Sequence, residues 1–424
     1  MSRYLFFSVL SATLSGLLIG GFASNAIQPA KSDSTPSARA QAASTDKLLP
    51  LPSPTGPHPV GTTVFHFVDS SRADTLAKQP GKFRELMVQV WYPANAPSSA
   101  AAAPYIPDPA LLRALMNVEG GYYGQSPETL AWWKHLRTSS FWNIPVLRKG
   151  HPFPLLIFSP GLGISRINYT AYAQELASHG YIVAGVDHPY GGFTVLPDGR
   201  VLSSDDDPGN EDEKQMPAHL TQYAADAAFV VSELERAQPG AAVQFAEVID
   251  HNKVGMFGHS LGGAAALETC RVNQRFKACA DLDGAPFGSV TEEGVQKPTL
   301  LLLEDPDYSD ADLAAKGRTR AQWEAMGKKG EAMWASLASS KNIPVYKVKI
   351  RGTGHLSFSD APFVMPNTIT RFGGHILDAQ AAFDRVTTYL LAFFDEYLKS
   401  PNPSATPPWP ARPNVTVERL DARH

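Results

Sequence analysis

The chain has 424 residues, an ordinary globular composition and a formal net charge of -4. Its Lys and Arg residues form no basic stripe, so nucleic acid is excluded as an expected partner. A chain of this length can bury a core that is stable without disulfides or metal ions, and two cysteines alone do not make a metal site. We therefore expect no metal and no other cofactor.

The N-terminus has the layout of a secretory signal. Arg3 precedes an apolar run from Tyr4 to Phe22, and small residues follow at Ala23–Ala26. This layout predicts a signal peptide over 1–26 and a secreted or periplasmic protein. An uncleaved membrane anchor is the alternative, because the run approaches spanning length, but its Ser, Thr and Gly content favours cleavage.

The remainder divides into a linker, a domain and a tail. Residues 27–60 are rich in Ser, Ala and Pro, which predicts a disordered, extended linker. The domain is predicted over 61–400, and a poorly ordered Pro-rich tail over 401–424. Within the domain, residues 93–150 carry apolar helical patterns interrupted by Gly and Pro. They predict a helical insertion, which would either form a lid over an apolar substrate or only pack its own small core.

Outside the insertion, apolar strands and helices alternate. The pattern predicts an α/β domain with a mostly parallel sheet that is covered by helices on both faces. The strands are predicted at 62–68, 84–92, 155–158, 181–186, 253–257, 276–283, 298–303 and 345–350, and the longer helices at 169–179, 218–237, 319–340 and 382–398.

The strand at 253–257 leads into a G-x-S-x-G motif. The motif reads Gly258-His259-Ser260-Leu261-Gly262, and an Ala-rich helical segment follows it. A strand, a sharp turn and a helix in this order predict a nucleophile elbow that presents the Ser260 hydroxyl. His259 lies inside the turn, and we expect it to pack beside the sheet rather than act as a base.

A serine nucleophile needs a histidine base and an acid that orients it. In this chain order the histidine follows the last strand, where Gly354-His355 occurs. Its competitor, His375, lies farther from any strand end, so the pattern favours His355. The acid remains open between Asp283, which ends one predicted strand, and Asp307, which follows the next.

The oxyanion of an acyl-transfer reaction requires backbone N–H donors. One donor is expected from Leu261, the residue after the nucleophile. The other is expected from Leu162, in the glycine-rich segment Ser159-Pro160-Gly161-Leu162-Gly163 that follows a buried strand.

Several segments, taken together, resemble the plasma-type platelet-activating-factor acetylhydrolases. These are Pro154–Gly163, Ala177–Ala184, Gly258–Gly263, Arg275–Lys277, Leu282-Asp283 and Ile350–His355.

The resemblance implies an α/β-hydrolase fold with Ser260 as nucleophile, Asp283 as acid, His355 as base, and Leu162 and Leu261 as oxyanion donors. The interval from nucleophile to acid in that family favours Asp283 over Asp307. Polyester hydrolases and cutinases are rival kin, whose acid would fall at Asp307. One departure is Pro160, which stands where the acetylhydrolases have histidine.

The sequence thus predicts an exported serine esterase that hydrolyses short-acyl esters through an acyl-enzyme. The expected partner is a small-molecule or lipid ester, with transient contact to a lipid surface as a further expectation. A polyester or cutin-type hydrolase and a non-catalytic binding module on the same fold are the alternatives. Cys270 and Cys279 are predicted either as a disulfide or as two buried thiols.

Overall fold

The computed structural model describes residues 49–420 except 98, 119–124, 126, 150–151, 208, 210–211, 213, 237–242, 339–341, 366–376, 404–406 and 408. The predicted signal peptide, most of the predicted linker and the rival base His375 lie outside the described residues.

Eleven of the strands in the described part of the chain form one sheet, in the order β13-β12-β11-β10-β9-β5-β6-β2-β1-β4-β3. The six strands from β12 to β6 in that order are parallel to one another. The strands are β1 Val60–Ala73, β2 Phe83–Pro93, β3 Ala102–Pro104, β4 Arg137–Trp142, β5 Phe153–Ser159, β6 Ile182–Asp187, β7 Thr194–Val195, β8 Val201–Leu202, β9 Ile249–His259, β10 Phe276–Leu282, β11 Thr299–Asp305, β12 Val345–Arg351 and β13 Val415–Leu420, of which β7 and β8 pair separately.

Helices cover both faces of this sheet. They are α1 Pro109–Met116, α2 Pro127–Trp133, α3 Thr170–Ser178, α4 Met216–Glu235, α5 Val243–Ala246, α6 Leu261–Val272, α7 Val290–Glu293, α8 Asp310–Ala315, α9 Arg320–Ser336, α10 Ala361–Val364 and α11 Ala379–Phe394, which continues as a π-helical turn over Asp395–Lys399. Helical 3-10 turns occur at Arg166–Tyr169, Ser204–Asp206 and His355–Phe358.

Successive side chains of the buried strands point alternately into two hydrophobic cores, one on each face of the sheet. In β5, Leu156 and Phe158 point into the core that contains α3 and α11, whereas Leu155 and Ile157 point into the core that contains α4 and α6. All four side chains are buried, because successive residues of a strand face opposite sides of the sheet. The predicted α/β class and its mostly parallel sheet are therefore confirmed.

The insertion contains strands as well as the expected helices. Strand β4 pairs in parallel with β1, and β3 pairs with β4, so both extend the edge of the sheet. Helices α1 and α2 contribute to the larger hydrophobic core, and the fully buried Trp133 donates its indole N–H to the carbonyl of Val364 at 3.1 Å. This tryptophan thus anchors the insertion to the main domain.

The predicted linker differs from the structure in its last part. From Leu49 onward the chain is packed, and Leu51 is buried. Thr55 donates from its N–H and its hydroxyl to the two carboxylate oxygens of Glu175 in α3, at 2.8 and 2.5 Å. The prediction of a linker as far as residue 60 is wrong over this stretch, because hydrogen bonds to a distant helix hold it where its own apolar content could not.

The predicted tail also differs. Val415–Leu420 forms β13, which pairs antiparallel with β12 at the end of the sheet. Trp409 packs against Tyr346 and Tyr389, with ring centroids 5.1 and 5.8 Å away. The prediction of a poorly ordered tail is wrong for this segment, since the prolines end at Pro413 and the residues after it can pair with a strand edge.

Cys270 and Cys279 form a disulfide, with their Cα atoms 6.3 Å apart. It joins the end of α6 to β10, and both residues are fully buried. Of the two alternatives that the sequence left open, the structure has the disulfide. Within the described residues, no helix is both long enough and apolar enough to cross a membrane.

Candidate active site

Ser260 occupies a strained turn between β9 and α6. Its backbone φ is 56° and its ψ is -121°, a left-handed conformation that is costly for a residue with a side chain. Gly258 and Gly262 make the turn feasible. A Cβ on Gly258 would lie 2.1 Å from the Gly262 carbonyl oxygen, and one on Gly262 would lie 2.0 Å from the Ser159 carbonyl oxygen. The motif therefore folds as the predicted elbow.

The carboxylate of Asp283 accepts two hydrogen bonds. Asp283 directly follows β10, and its Oδ2 lies 2.6 Å from Nδ1 of His355. Its Oδ1 accepts from the backbone N–H of Glu304 at 2.9 Å. Because a carboxylate only accepts, His355 donates from Nδ1, and in the neutral imidazole Nε2 is then the proton acceptor.

Ser260 Oγ and His355 Nε2 are both shielded from solvent. Within the described part of the chain neither atom has a hydrogen-bond partner, so they are not bonded to each other. Serine–histidine contacts are often long in the absence of a substrate and tighten in the reacting complex. In the structure, His355 is thus hydrogen-bonded to Asp283, whereas no hydrogen bond joins His355 to Ser260.

The rival acid has a different partner. The carboxylate of Asp307 is 58% exposed and pairs with Arg351 at 3.0 Å. Asp281 also stands apart from His355: it is fully buried, and its Oδ1 accepts from the N–H of Gly284 at 2.8 Å. Burial, together with the charge of Asp283, raises the pKa of Asp281 well above its ordinary value. The structure therefore brings Asp283, and neither of the other two carboxylates, to His355.

In the loop that contains Leu162, the neighbouring backbone N–H groups already have hydrogen-bond acceptors. Gly161 N donates to the Tyr169 hydroxyl at 3.2 Å, and Gly163 N donates to the Gly191 carbonyl at 2.7 Å. The N–H of Leu162 has no acceptor among the described residues. Leu261 begins α6, where the first N–H groups lack intrahelical acceptors. Neither N–H group thus has an acceptor among the described residues.

His259 connects the glycine-rich loop to the loop of His355. Its Nε2 lies 2.9 Å from the backbone carbonyl of His355, so Nε2 carries the proton. Its Nδ1 then accepts from the hydroxyl of Tyr169 at 2.8 Å. Burial and the nearby His355 lower the pKa of His259 well below its ordinary value, so the ring is neutral. The expectation that His259 packs beside the sheet agrees with these contacts.

Sequence reasoning missed Tyr169 and Glu304. Burial and the charge of Asp283 raise the pKa of the Glu304 carboxyl well above its ordinary value, although the backbone of His355 opposes the shift. The available signal was its place at the end of β11, on the same sheet edge as Asp283. Tyr169 gave no signal, since only the folded chain brings it to His259.

A cavity of about 180 Å³ adjoins the Asp283–His355 pair. Its walls combine the carboxylates of Glu304 and Asp305 with the aromatic rings of Trp323 and Trp334, both from α9. Such a mixture of apolar walls and a few convergent polar groups is typical of small-molecule sites. Across the described ranges, no group of three or more His, Cys, Asp or Glu side chains is arranged to hold a metal ion.

The sheet order, the elbow after β9 and the Asp283–His355 contact define a protein with the α/β-hydrolase fold. A solved structure supports this class: a ferulic acid esterase from Streptomyces cinnamoneus aligns with a TM-score of 0.66 and 30% identity, covering 88% of this chain and 99% of that one. The chain belongs to the family described as platelet-activating factor acetylhydrolase, isoform II, whose model matches residues 43–191 and 237–403.

Curated relatives agree with this family. The platelet-activating factor acetylhydrolase of Cavia porcellus is 28% identical over 282 residues, which cover 61% of this chain and 60% of the relative. A probable 1-alkyl-2-acetylglycerophosphocholine esterase of Arthroderma benhamiae is 28% identical over 281 residues, which cover 61% and 65%. The matched part thus spans about three-fifths of the length of these relatives.

Proposed function

We propose that this protein is a serine esterase in which Ser260, His355 and Asp283 form the triad. The observation that carries the proposal is the hydrogen bond from His355 Nδ1 to Asp283, because it turns Nε2 into a base on the loop that follows β12. The strained elbow at Ser260 supports it, since strain of this kind persists where the surrounding structure maintains it for function.

The reaction proceeds in two halves. The Ser260 oxygen attacks the acyl carbon while His355 Nε2 takes its proton, and Asp283 stabilises the resulting imidazolium. The N–H groups of Leu162 and Leu261 donate to the oxyanion. His355 then protonates the departing alcohol, which leaves an acyl-enzyme on Ser260. Water, deprotonated by His355, attacks this ester and releases the acid.

The proposed substrate is a carboxylic ester with a short acyl group, including one carried on a phospholipid. The family and the fungal relative named as a glycerophosphocholine esterase support this choice. An aromatic acyl ester is the second candidate, because the ferulic acid esterase aligns over nearly its whole length. A panel of p-nitrophenyl esters, a short-acyl phospholipid, a feruloyl ester and an insoluble polyester film separates these candidates.

The triad is tested by Ser260→Ala. Hydrolysis of p-nitrophenyl acetate is expected to fall to the background rate, with an unchanged circular dichroism spectrum. A fluorophosphonate probe is expected to add one label to the unmodified protein, at Ser260, and none to the variant. Substantial turnover by Ser260→Ala, or a label on another residue, would contradict the assignment and leave only the fold.

We further propose that the protein is exported after removal of residues 1–26. The N-terminal pattern of Arg3 and the apolar run supports this, and so does the disulfide, a bond that persists mainly in oxidising compartments. The measurement is the mass of the mature N-terminal peptide from the medium or the periplasm. A cytoplasmic protein with its first residues intact would refute export without affecting the triad.

A further inference from the structure

A second array of serine, histidine and aspartate lies inside the protein. The hydroxyl of Ser159, the last residue of β5, is 2.8 Å from Nε2 of His188. Nδ1 of His188 is in turn 2.8 Å from Oδ2 of Asp226 in α4. The three residues are 0%, 3% and 0% exposed. Their order of contacts repeats that of a catalytic triad, but at a position without solvent.

The array has one fixed arrangement of protons. Burial would raise the pKa of Asp226, but the Arg84 guanidinium and the His188 hydrogen bond outweigh it and hold that pKa well below the ordinary value. Arg84 makes two hydrogen bonds of 2.7 Å to the carboxylate, and Arg72 approaches to 2.7 Å. His188 therefore donates from Nδ1 to a carboxylate. Burial lowers the pKa of His188, so the ring is neutral and its Nε2 accepts from the Ser159 hydroxyl.

The surroundings exclude a second catalytic serine at Ser159. Ser159 has no left-handed backbone angle, unlike Ser260, and its hydroxyl is already paired with Nε2 of His188. Its strand position pairs with Gly258, and its carbonyl oxygen would lie 2.0 Å from a Cβ on Gly262. The backbone of Ser159 is thus packed against the elbow, and no elbow of its own presents its hydroxyl. A role in holding the backbone is the chemistry that remains.

The turn that contains His188 also contacts the far end of the glycine-rich segment Ser159–Gly163. Gly191 donates its N–H to the His188 carbonyl at 3.0 Å and accepts the N–H of Gly163 at 2.7 Å. A Cβ on Gly191 would lie 1.8 Å from the Tyr223 hydroxyl, so the turn packs tightly there. The Tyr223 ring stacks on the His188 ring at 3.8 Å, with 6° between the planes. His188 is fixed from three directions.

We propose that His188 and Asp226 are positioning residues that fix the N–H of Leu162 as an oxyanion donor. The side chain of His188 holds Ser159, three residues before Leu162, and the turn from His188 to Gly191 holds Gly163, one residue after it. Leu162 is the unoccupied amide between these two anchors. The inference rests on the proposed esterase function, because an oxyanion donor has meaning only if an acyl transfer takes place.

Ser159→Ala is the direct test. It removes the hydroxyl and leaves His188 and the Arg84–Asp226 ion pair in place, which keeps the core charges compensated. Ser178→Ala is the matched control: Ser178 is also fully buried, and its hydroxyl donates to the Glu175 carbonyl at 2.7 Å in α3. Hydrolysis of p-nitrophenyl acetate and inhibition by a short-chain trifluoromethyl ketone, whose serine adduct carries an oxyanion, are measured on both variants.

Because the hydrogen bonds to the oxyanion strengthen in the transition state, kcat of Ser159→Ala is expected to fall about 10- to 100-fold with KM changed less than about 2-fold. The inhibition constant of the ketone is expected to rise by the same factor as kcat/KM falls. Ser178→Ala is expected to stay within about 2-fold of the unmodified protein in every value.

Two outcomes would overturn the proposal: activity of Ser159→Ala equal to that of Ser178→Ala, or a loss of kcat with unchanged inhibition by the ketone. The second outcome would indicate general loosening of the core instead of a displaced donor. The proposed function has a separate readout in the same assay, since Ser260→Ala must lose both hydrolysis and the ketone adduct. If Ser260→Ala keeps its activity, the proposed esterase function is wrong. If only Ser159→Ala keeps its activity, the esterase function stands and the proposed role of His188 is wrong.

Discussion

Asp283 and His355 lie 72 residues apart in the chain, and their side chains meet at 2.6 Å. The two residues follow β10 and β12, strands separated in the sheet by β11, whose Glu304 donates its N–H to the same carboxylate. Asp307 follows β11 and has Arg351 as its partner instead. The residue pattern did not distinguish Asp283 from Asp307 as the acid, but in the structure the first contacts His355 and the second contacts Arg351.

Asp283→Asn is expected to lower kcat/KM for p-nitrophenyl acetate by about 10²- to 10⁴-fold, because an amide no longer stabilises the imidazolium or its tautomer. Asp307→Asn makes the same change on an exposed carboxylate and is expected to stay within about 2-fold. Steady-state kinetics on both variants decide the matter. A severe loss in Asp307→Asn with little change in Asp283→Asn would reverse the assignment of the acid.

Gly262→Ala is expected to lower the rate of ester hydrolysis by at least about 100-fold. Its Cβ would lie 2.0 Å from the Ser159 carbonyl oxygen and would displace the elbow. The control is Gly327→Ala in α9, where an added Cβ meets nothing within 4 Å. That variant should gain about 0.5–1 kcal/mol in its free energy of unfolding. Urea unfolding and ester kinetics are measured together; an active Gly262→Ala would show that the turn has room.

The disulfide is expected to stabilise the fold by about 2–3 kcal/mol, since it closes a short loop with a sequence separation of 9. The midpoint of urea unfolding should therefore fall in reductant for the unmodified protein. The double variant Cys270→Ala, Cys279→Ala should unfold at a midpoint independent of reductant. An equal effect of reductant on both proteins would show that it acts elsewhere than on this bond.

Asp360 is expected to make stability depend on pH. Burial raises its pKa to about 7, although the N–H of Ala171 donates to its carboxylate and opposes the shift. The folded state thus retains a proton that the unfolded chain releases near pH 4, and stability falls as the pH rises from about 4 to about 7. The loss between pH 5 and pH 8 should reach about 2–3 kcal/mol.

Asp360→Asn removes this titration, so its free energy of unfolding should vary less between pH 5 and pH 8. Asp384→Asn, on the exposed side of α11, serves as the control and should keep the pH profile of the unmodified protein. Chemical unfolding at both pH values provides the measurement. A profile of Asp360→Asn identical to that of the control would mean that Asp360 is not the group responsible.

The sequence predicted the features that are local in the chain. The elbow follows from Gly258, Ser260 and Gly262 with a strand before them and a helix after, and the parallel sheet follows from apolar runs that alternate with helices. Each of these signals lies within about twenty residues. The choice of His355 over His375 rested on its distance from a strand end; His355 contacts Asp283, and His375 lies outside the described residues.

The missed features depend on contacts across the fold. Ser159, His188 and Asp226 come from three elements, with 29 and 38 residues between successive partners, and no spacing rule connects them. The anchored stretch around Thr55 depends on Glu175, which is 120 residues away. Composition describes what a segment can bury by itself, so it fails for a segment whose partners lie elsewhere.

The position of β13 has a consequence for the solubility of shortened versions of the protein. Without it, β12 would be the last strand of the sheet, with a row of backbone N–H and C=O groups open to pairing with a neighbouring molecule. The residues of β13 are mostly exposed on their outer side, and Glu418 pairs with Lys347 at 2.8 Å. A short, mostly exposed strand with a charged pair thus forms this end of the sheet, which disfavours pairing with another molecule, and a protein shortened to about residue 400 would expose the edge of β12 instead.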